Sequence, residues 1–575
     1  MKKIISINII ASMFIFQSCM DIFEREPLDK ISETVVWTQE PLIEAYVLDL
    51  YARFPFFAYP GMTLTDLATE RFTNMNAITM GTMTQNTEML GYWDYVTIRD
   101  CNVFLERIRE APIDELAKER LEGEVRAIRA VIYFEKQKRY GGVPLVDTVL
   151  DPFEDLDPAY LRRSTEERIA DFINEELDLA IQMLGENVSR TGRINKWSAY
   201  AYKSRANLWA ASIAKYGAVQ REGLVGIPEA RANEFFQKAA DAANAVIQSG
   251  TYNMYNVHAD RSENYRYLFL DDSNSEIIFE RLYDGPIIGH SFSHNNYPTR
   301  FSAGQGSITN PLLELLYSYE NIDGTTDQPD FGPAHLYEDG IAPWSNKDPR
   351  LRATVFLQGE PYGGDMIRTY EGLDPSPEPN PGAIISDFNV QHQGTPTVGP
   401  DSRLSQQNFR TTSGFLLRKY IIDEPLVERD IMTTSWKAIR LGEMYLNLAE
   451  AAYELGDLET AVGALNVTRE RAGISLLDAG DLTLDRLRNE RKVELAFEGF
   501  RYWDLRRWRT ARQVLNRDDP FRGLRIILHH ASGQFYFIPF EAETFTRIFR
   551  EEHYYNPFLL SRLENNTHLL QNPGY

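Results

Sequence analysis

Three glutamates, Glu490, Glu494 and Glu498, stand at every fourth position in NERKVELAFEGFRYWDLRRW, the stretch from Asn489 to Trp508, with Arg491, Arg501, Arg506 and Arg507 around them. Carboxylates spaced this way have two readings. As the acid and nucleophile of a glycosidase, two of them would stand on opposite sides of a sugar, roughly 5 to 9.5 Å apart, with one kept protonated. As structural groups they would be buried and paired, because a charge taken out of water is normally matched by another. A helix puts all three on a single ridge, which does not sandwich a ring. Guanidinium neighbours also hold carboxyls ionised. The spacing therefore predicts a helix with Val493, Ala496, Phe497 and Phe500 on its apolar face, stapled into a core by ion pairs to these arginines.

Elsewhere the sequence has no HExxH, CxxC, phosphate-binding glycine loop or GxSxG, so no familiar catalytic route is written in it. His290 and His294, four apart in HSFSH, fall in a glycine-rich stretch that reads as a loop, where helical metal-ligand spacing does not apply. His529-His530 reads as structural detail and Gly304-Gln305-Gly306 as a turn. No metal and no cofactor is expected.

What remains is binding. A sugar needs a flat apolar ring for its CH face and planar hydrogen-bonding groups for its hydroxyls. Two irregular segments supply both. One runs from Tyr59 to Trp93 with Asp66, Glu70, Arg71, Asn74, Asn76, Tyr92 and Trp93; the other runs from Tyr283 to Phe301 with Tyr283, His290, His294, Asn295, Asn296, Tyr297 and Arg300. Trp344, Tyr362, Arg368 and Tyr370 are candidates to join them. For each aromatic, core packing is the competing role.

The elements that must position these groups are mainly helical. Glu40–Tyr51 predicts a first helix, Gly91–Glu110 a second with Ile98, Asn102, Leu105 and Ile108 on one stripe, and Leu116–Tyr140 a third that stops at Gly141-Gly142-Val143-Pro144. Ser164-Thr165-Glu166-Glu167 opens the next with a capping box. Arg193–Tyr216 and Ala232–Gln248 follow as an alanine-rich pair. Leu441–Gly473, two helices joined at Gly456-Asp457, resembles a tetratricopeptide unit of about 34 residues. One such unit cannot bury its own face, so the copies must stack into a scaffold. The scaffold spans about 91–250 and 435–510. Between them, residues 250–434 are rich in Gly and Pro, with strands expected only at Glu276–Phe279 and Phe415–Tyr420, and Asp374–Pro400 reads as a mobile loop. An ordered segment, 511–575, closes the chain.

With 575 residues, 43% hydrophobic and 12% aromatic, the chain has ample core and disorder is excluded for most of it. A formal net charge of −23 repels nucleic acid and anionic lipid, so no nucleic-acid partner is expected. Met1, Lys2 and Lys3 precede an apolar run from Ile4 to Phe16 that is too short to span a bilayer and reads as a signal peptide, residues 1–18. Ser18-Cys19 at its end resembles a bacterial lipobox, although Phe16 and Gln17 depart from the usual residues; plain secretion is the alternative. Lipidation of Cys19 would leave Cys101 alone, without a disulfide. Residues 19–38 read as a tether and 39–575 as one body.

EL-AFEG-R-WDLRRW resembles the C-terminal signature of the SusD/RagB family, surface glycan-binding lipoproteins of Bacteroidetes-type uptake systems. Trp93, Tyr95, Ile98 and Asn102, YGGVPLV from Tyr140, Asp348-Pro349-Arg350-Leu351, FYFIPF from Phe535 and the closing Gln571-Asn572-Pro573-Gly574-Tyr575 match as well, so the likeness covers the chain from Cys19 onward. It implies a mainly α fold of tetratricopeptide-like repeats with a large loop-rich insertion, ligand loops outside the repeats, and a lipid anchor on the outer face of the outer membrane. It further implies a SusC-like, TonB-dependent transporter as partner and an oligosaccharide captured without cutting. A peptide ligand and a glycoside hydrolase are the alternatives.

Overall fold

Six long helices make up the N-terminal half, three of them opened by side-chain caps. They are α1 (Glu40–Ala52), α2 (Val96–Arg107), α3 (Glu115–Tyr140), α4 (Glu166–Met183), α5 (Lys196–Tyr216) and α6 (Ala232–Gln248). The Asp114 carboxylate accepts from the Leu116 and Ala117 amides, Thr165 caps α4 through the Arg168 amide, and Asn195 and Ser198 form a reciprocal capping box. Gly141, at φ 73°, ends α3. In the C-terminal half, α7 (Leu441–Leu455) and α8 (Leu458–Ala472) are joined by Gly456 at φ 87° and by Asp457, whose side chain accepts from the Thr460 amide. This is the helix pair that the repeat pattern predicts. The computed structural model describes residues 33–58, 62–71, 75–151, 157–186, 192–302, 305–406 and 408–575. The signal peptide, Cys19, Asn74 and Gly304 lie outside them. Among the described residues no helix is long and apolar enough to cross a membrane.

The helices pack in the order α3, α4, α5, α6, α7, α8, so α7 lies directly against α6 although nearly two hundred residues separate them in sequence. Small residues permit the close approach: Ala239, Ala240 and Ala243 of α6, Ala206, Ala210 and Ala211 of α5, and Ala449, Ala451 and Ala452 of α7 are all buried. The chain between α6 and α7 leaves and returns at one place. The Asn253 amide donates to Ser275 O at 3.0 Å and the Leu441 amide to Glu276 O at 2.9 Å.

Short strands organise the rest: β1 (Ala68–Glu70), β2 (Ile277–Arg281), β3 (Thr309–Pro311), β4 (Gly372–Asp374), β5 (Trp436–Arg440), β6 (Arg522–His529) and β7 (Gln534–Glu541). β1 pairs antiparallel with β3 and β2 with β5, while β6 lies between β7, antiparallel, and β4, parallel. The C-terminal hairpin thus completes the insertion. Leu524, Ile526 and Phe537 share a core with Trp344, Phe356 and Leu416, and a separate core fills the helical repeats.

Four expectations are corrected. Asn489–Trp508 is not one helix: α9 (Leu484–Glu494) and α10 (Arg501–Arg507) flank a turn with Phe497 at φ 63° and Gly499 at φ 85°. Burying the Phe497 ring in the insertion core requires the chain to leave the helix there. The expected strand Phe415–Tyr420 is only Leu416–Leu417, since Tyr420 takes φ 66°, which no strand tolerates. Asp374–Pro400 is folded rather than loose. The Asp374 carboxylate accepts from the Ser376 and Asn380 amides, Leu373 pairs with Ile385, and Thr397 and Val398 are buried. Phe292–Asn296, read as loop, forms one helical turn.

Candidate functional site

Glu490, Glu494 and Glu498 are the centre of a closed ionic cluster. Glu494 is fully buried, with Arg350 at 2.8 Å, Arg440 at 2.6 Å and Arg471 beside it. Glu490 pairs with Arg350 at 2.6 Å and Arg469 at 3.3 Å; Glu498 pairs with Arg440 at 2.7 Å and Lys419 at 2.8 Å. Asp348, Glu276 and Glu320 complete it. These cations come from the insertion and from the region of α7 and α8, not from the neighbouring arginines the sequence suggests. Arg491 and Arg507 instead hold Asp504, Arg507 also holds Glu450, Arg501 holds Asp66, and Arg506 reaches Asn556. Burial alone would raise the Glu494 carboxyl, but Arg471, Arg440 and Arg350 overcome it and hold the group far below the usual carboxylate range. Such a group is a poor proton donor, and its oxygens are already taken.

The two irregular segments do meet. β1 pairs with β3, and the Arg71 amide extends the ladder to Ile308 O at 3.0 Å. Ile308 and Thr309 then donate to the turn 292–296, at Asn295 O and Asn296 Oδ1, each at 3.0 Å. His290 pairs with Met432 on the other side. This framework encloses a cleft of about 470 Å³, within the range of ligand sites. Met62, Leu64, Met89 and Leu90 give it an apolar wall, and Glu70, Asn76, His290, Asn295 and Asn296 a polar one.

Those polar groups are not equally available. Asn296 is held at both ends of its amide, donating to Phe292 O and accepting from Thr309 N, and Asn76 Oδ1 accepts from Ile78 N and Thr79 N. His290 Nε2 lies 2.9 Å from Thr434 O and its Nδ1 accepts from Phe292 N at 3.2 Å, which fixes a neutral tautomer with the proton on Nε2. Burial pushes its pKa below the ordinary value, in keeping with that tautomer. Tyr283, half-buried, packs on the His290 ring at 4.6 Å. Among the described residues, the half-buried side chains of Glu70 and Asn295 make no hydrogen bond, and both line the cleft.

The other candidates are absorbed by the framework. Asp66 is buried against Arg501 and Lys492, both at 2.8 Å. Trp93 packs edge-on against Tyr95, Tyr140 and Phe558, all within 5.3 Å. Tyr297 is wholly buried with its hydroxyl donating to Glu424 O, His294 is held at Val427 O, and Trp344 is buried against Phe331 and Phe415. Arg300 lies between Asp401 and Asp365, and Arg368 shares Asp365, away from the cleft. Cys101 is a free, buried thiol, pushed up to about 12 by desolvation. The sequence reading missed Ile308 and Thr309, which enter the cleft only because β1 pairs with β3.

A helical-repeat scaffold thus carries a cleft with one apolar and one polar wall, built where its N-terminal 62–90 segment meets the insertion. The chain belongs to the SusD family: that family's model matches residues 275–575, and a second, described as "Starch-binding associating with outer membrane", matches 46–208. A SusD-like protein of Formosa agariphila is 24% identical over 91% of this chain and 95% of its own, and a SusD-like protein of Bacteroides ovatus is 23% identical over 97% and 92%. Among solved structures, a SusD-like protein of Bacteroides fragilis superposes with a TM-score of 0.70 at 25% identity, covering 96% of this chain and all of its own. A SusD-like carbohydrate binding protein of the same species gives 0.68 at 22%, covering 93% and all of its own. A laminarin binding SusD-like protein gives 0.55 at 19%, covering 94% and all of its own.

Proposed function

We propose that this protein captures an oligosaccharide in the cleft between its 62–90 and 290–309 segments, while anchored through a lipidated Cys19 to the outer face of the outer membrane, and passes it uncut to a SusC-like, TonB-dependent transporter. The observation that carries this reading is the cleft, about 470 Å³, with an apolar wall facing the uncommitted Glu70 and Asn295. That combination meets what a sugar requires. Relatives named for carbohydrate and laminarin binding support the ligand class, and the outer-membrane wording of the matched family model supports the place. The non-catalytic reading rests on the commitment of Glu490, Glu494 and Glu498 to cations.

Calorimetry against a panel of neutral oligosaccharides should find a saturable ligand. Glu70→Ala and Asn295→Ala should each weaken it about five- to tenfold, the value of one hydrogen bond, with circular dichroism unchanged. Unchanged affinity in both, with binding lost on Tyr445→Ala or Tyr453→Ala in α7, would move the site to the repeats. Binding of peptides alone would replace the ligand class, and shortened glycans after incubation would make the protein an enzyme.

A further inference from the structure

The cleft carries its charge on one side chain. Among the described residues that line it, Glu70 is the only one with a formal charge, His290 being held neutral. The strand register turns that carboxylate inward. Residues directly opposite in an antiparallel pair share a face, and Glu70 stands opposite Thr309, which also lines the cleft. Thr69 stands opposite Asn310 and points the other way, its hydroxyl donating to Glu543 at 2.7 Å.

The cations of the neighbouring strands are turned elsewhere. Arg71 continues the ladder, so its side chain leaves on the face opposite to Glu70. There it donates to Gly306 O at 2.6 Å and Gln305 Oε1 at 2.9 Å and lies over the Phe409 ring at 4.0 Å. It feels the Glu70 charge but makes no hydrogen bond to it. Arg281 lies over the Tyr283 ring at 5.0 Å. Neither arginine lines the cleft, and residues 59–61, 72–74 and 303–304, which adjoin its segments in sequence, include no lysine or arginine. At the rim the Ser291 hydroxyl donates to Asp430, whose charge is shared with Arg429 at 3.5 Å, so the rim adds no net charge.

A half-buried carboxylate without a donor relies on water, and a sugar laid on Met62, Leu64 and Met89 would displace that water. A neutral hydroxyl would offset part of the loss. An ammonium on the same ring would supply a counter-charge and a charge-assisted bond, about twice as strong as a neutral one. A glycan carboxylate or sulfate would instead set two like charges together with no cation in the described lining to separate them.

We infer that the glycan captured in this cleft carries a free amine: its ammonium pairs with Glu70, its hydroxyls meet Asn295, and uronic or sulfated glycans are turned away. The inference rests on the cleft being the capture site proposed above.

Single sugars test this without any dependence on linkage. Glucosamine, galactosamine and mannosamine, their parent hexoses and the matching uronic acids are titrated at pH 6 and low salt into protein labelled with carbon-13 at its methionine methyls. Met62 and Met89 report on the cleft, and their signals are identified by loss in Met62→Leu and Met89→Leu. At least one aminohexose should shift them saturably and bind about ten- to a hundredfold tighter than its parent hexose, with no shift from the uronic acids. Glu70→Gln keeps the size, removes the charge and should close that gap, and added salt should narrow it in the wild type. If a parent hexose binds as tightly as its amine, if a uronic acid shifts the same signals, or if Glu70→Gln preserves the gap, the inference falls while capture in the cleft stands. If no sugar moves Met62 or Met89, the cleft reading falls and this one with it.

Discussion

Glu494 lies fully buried between three guanidinium groups, so Glu494→Ala leaves Arg350, Arg440 and Arg471 short of a counter-charge. The expected cost is about 3 to 5 kcal/mol, measured by urea denaturation. Arg501→Ala should cost less, because Asp66 keeps Lys492 at 2.8 Å. The ranking is the test, and equal losses would contradict it. His553 gives a prediction in pH. Its ring is buried, neither nitrogen has a partner among the described residues, and desolvation, with Arg506 nearby, pushes it down to about 4 from 6.5. The unfolded chain takes up this proton below 6.5 and the native one only near 4, so stability should fall through that window as pH drops. Between pH 7 and 5 the loss should be about 1 to 2 kcal/mol and should be absent in His553→Leu. Glu494, whose ordinary value is 4.5, adds its own loss only at lower pH. At this scale the sequence disclosed which carboxylates would be buried and ionised. It did not disclose their partners, because Arg350 and Arg440 are brought in by topology and not by helical spacing.

Helices whose ends carry local stop signals were readable almost to the residue: Gly141 ends α3, and Gly456-Asp457 divides α7 from α8. The short strands were less so. Leu416–Leu417 falls inside an expected strand but takes its bounds from Val355–Phe356 beside it, and three-residue β1 exists because of β3, so no local window of sequence contains the cause. The cleft was half legible for the same reason: composition marked both of its segments, but which side chains stay free depended on the ladder between them. Gly456 allows a clean test at this scale. It has φ 87°, and a Cβ added there would meet nothing within 4 Å, so Gly456→Ala should lose about 1 kcal/mol through backbone strain alone. Gly456→Asn should lose less, since asparagine tolerates the left-handed region better. Thermal melts of the two variants would measure the difference.

The helical repeats bury a large hydrophobic core and a smaller one around α7, α8 and α9, the insertion and C-terminal hairpin bury another, and the ionic cluster joins groups from both regions. Arg440 touches Glu276, Glu494 and Glu498 at once. Calorimetry of the native protein should give a single transition; in Arg440→Ala it should fall in temperature and split in two, and a single undivided transition in that variant would show that the cores are coupled by other means. The chain's departure from the scaffold at Asn253 and its return at Leu441 are both pinned to Ser275-Glu276, and β2 and β5 are zipped together just beyond. The excursion therefore has a neck, and lengthening what lies past a closed neck adds only a slowly growing entropic cost. The excursion can therefore change in length while the solenoid beneath it keeps its packing, because the neck, and not the repeats, carries the mechanical burden of closing it.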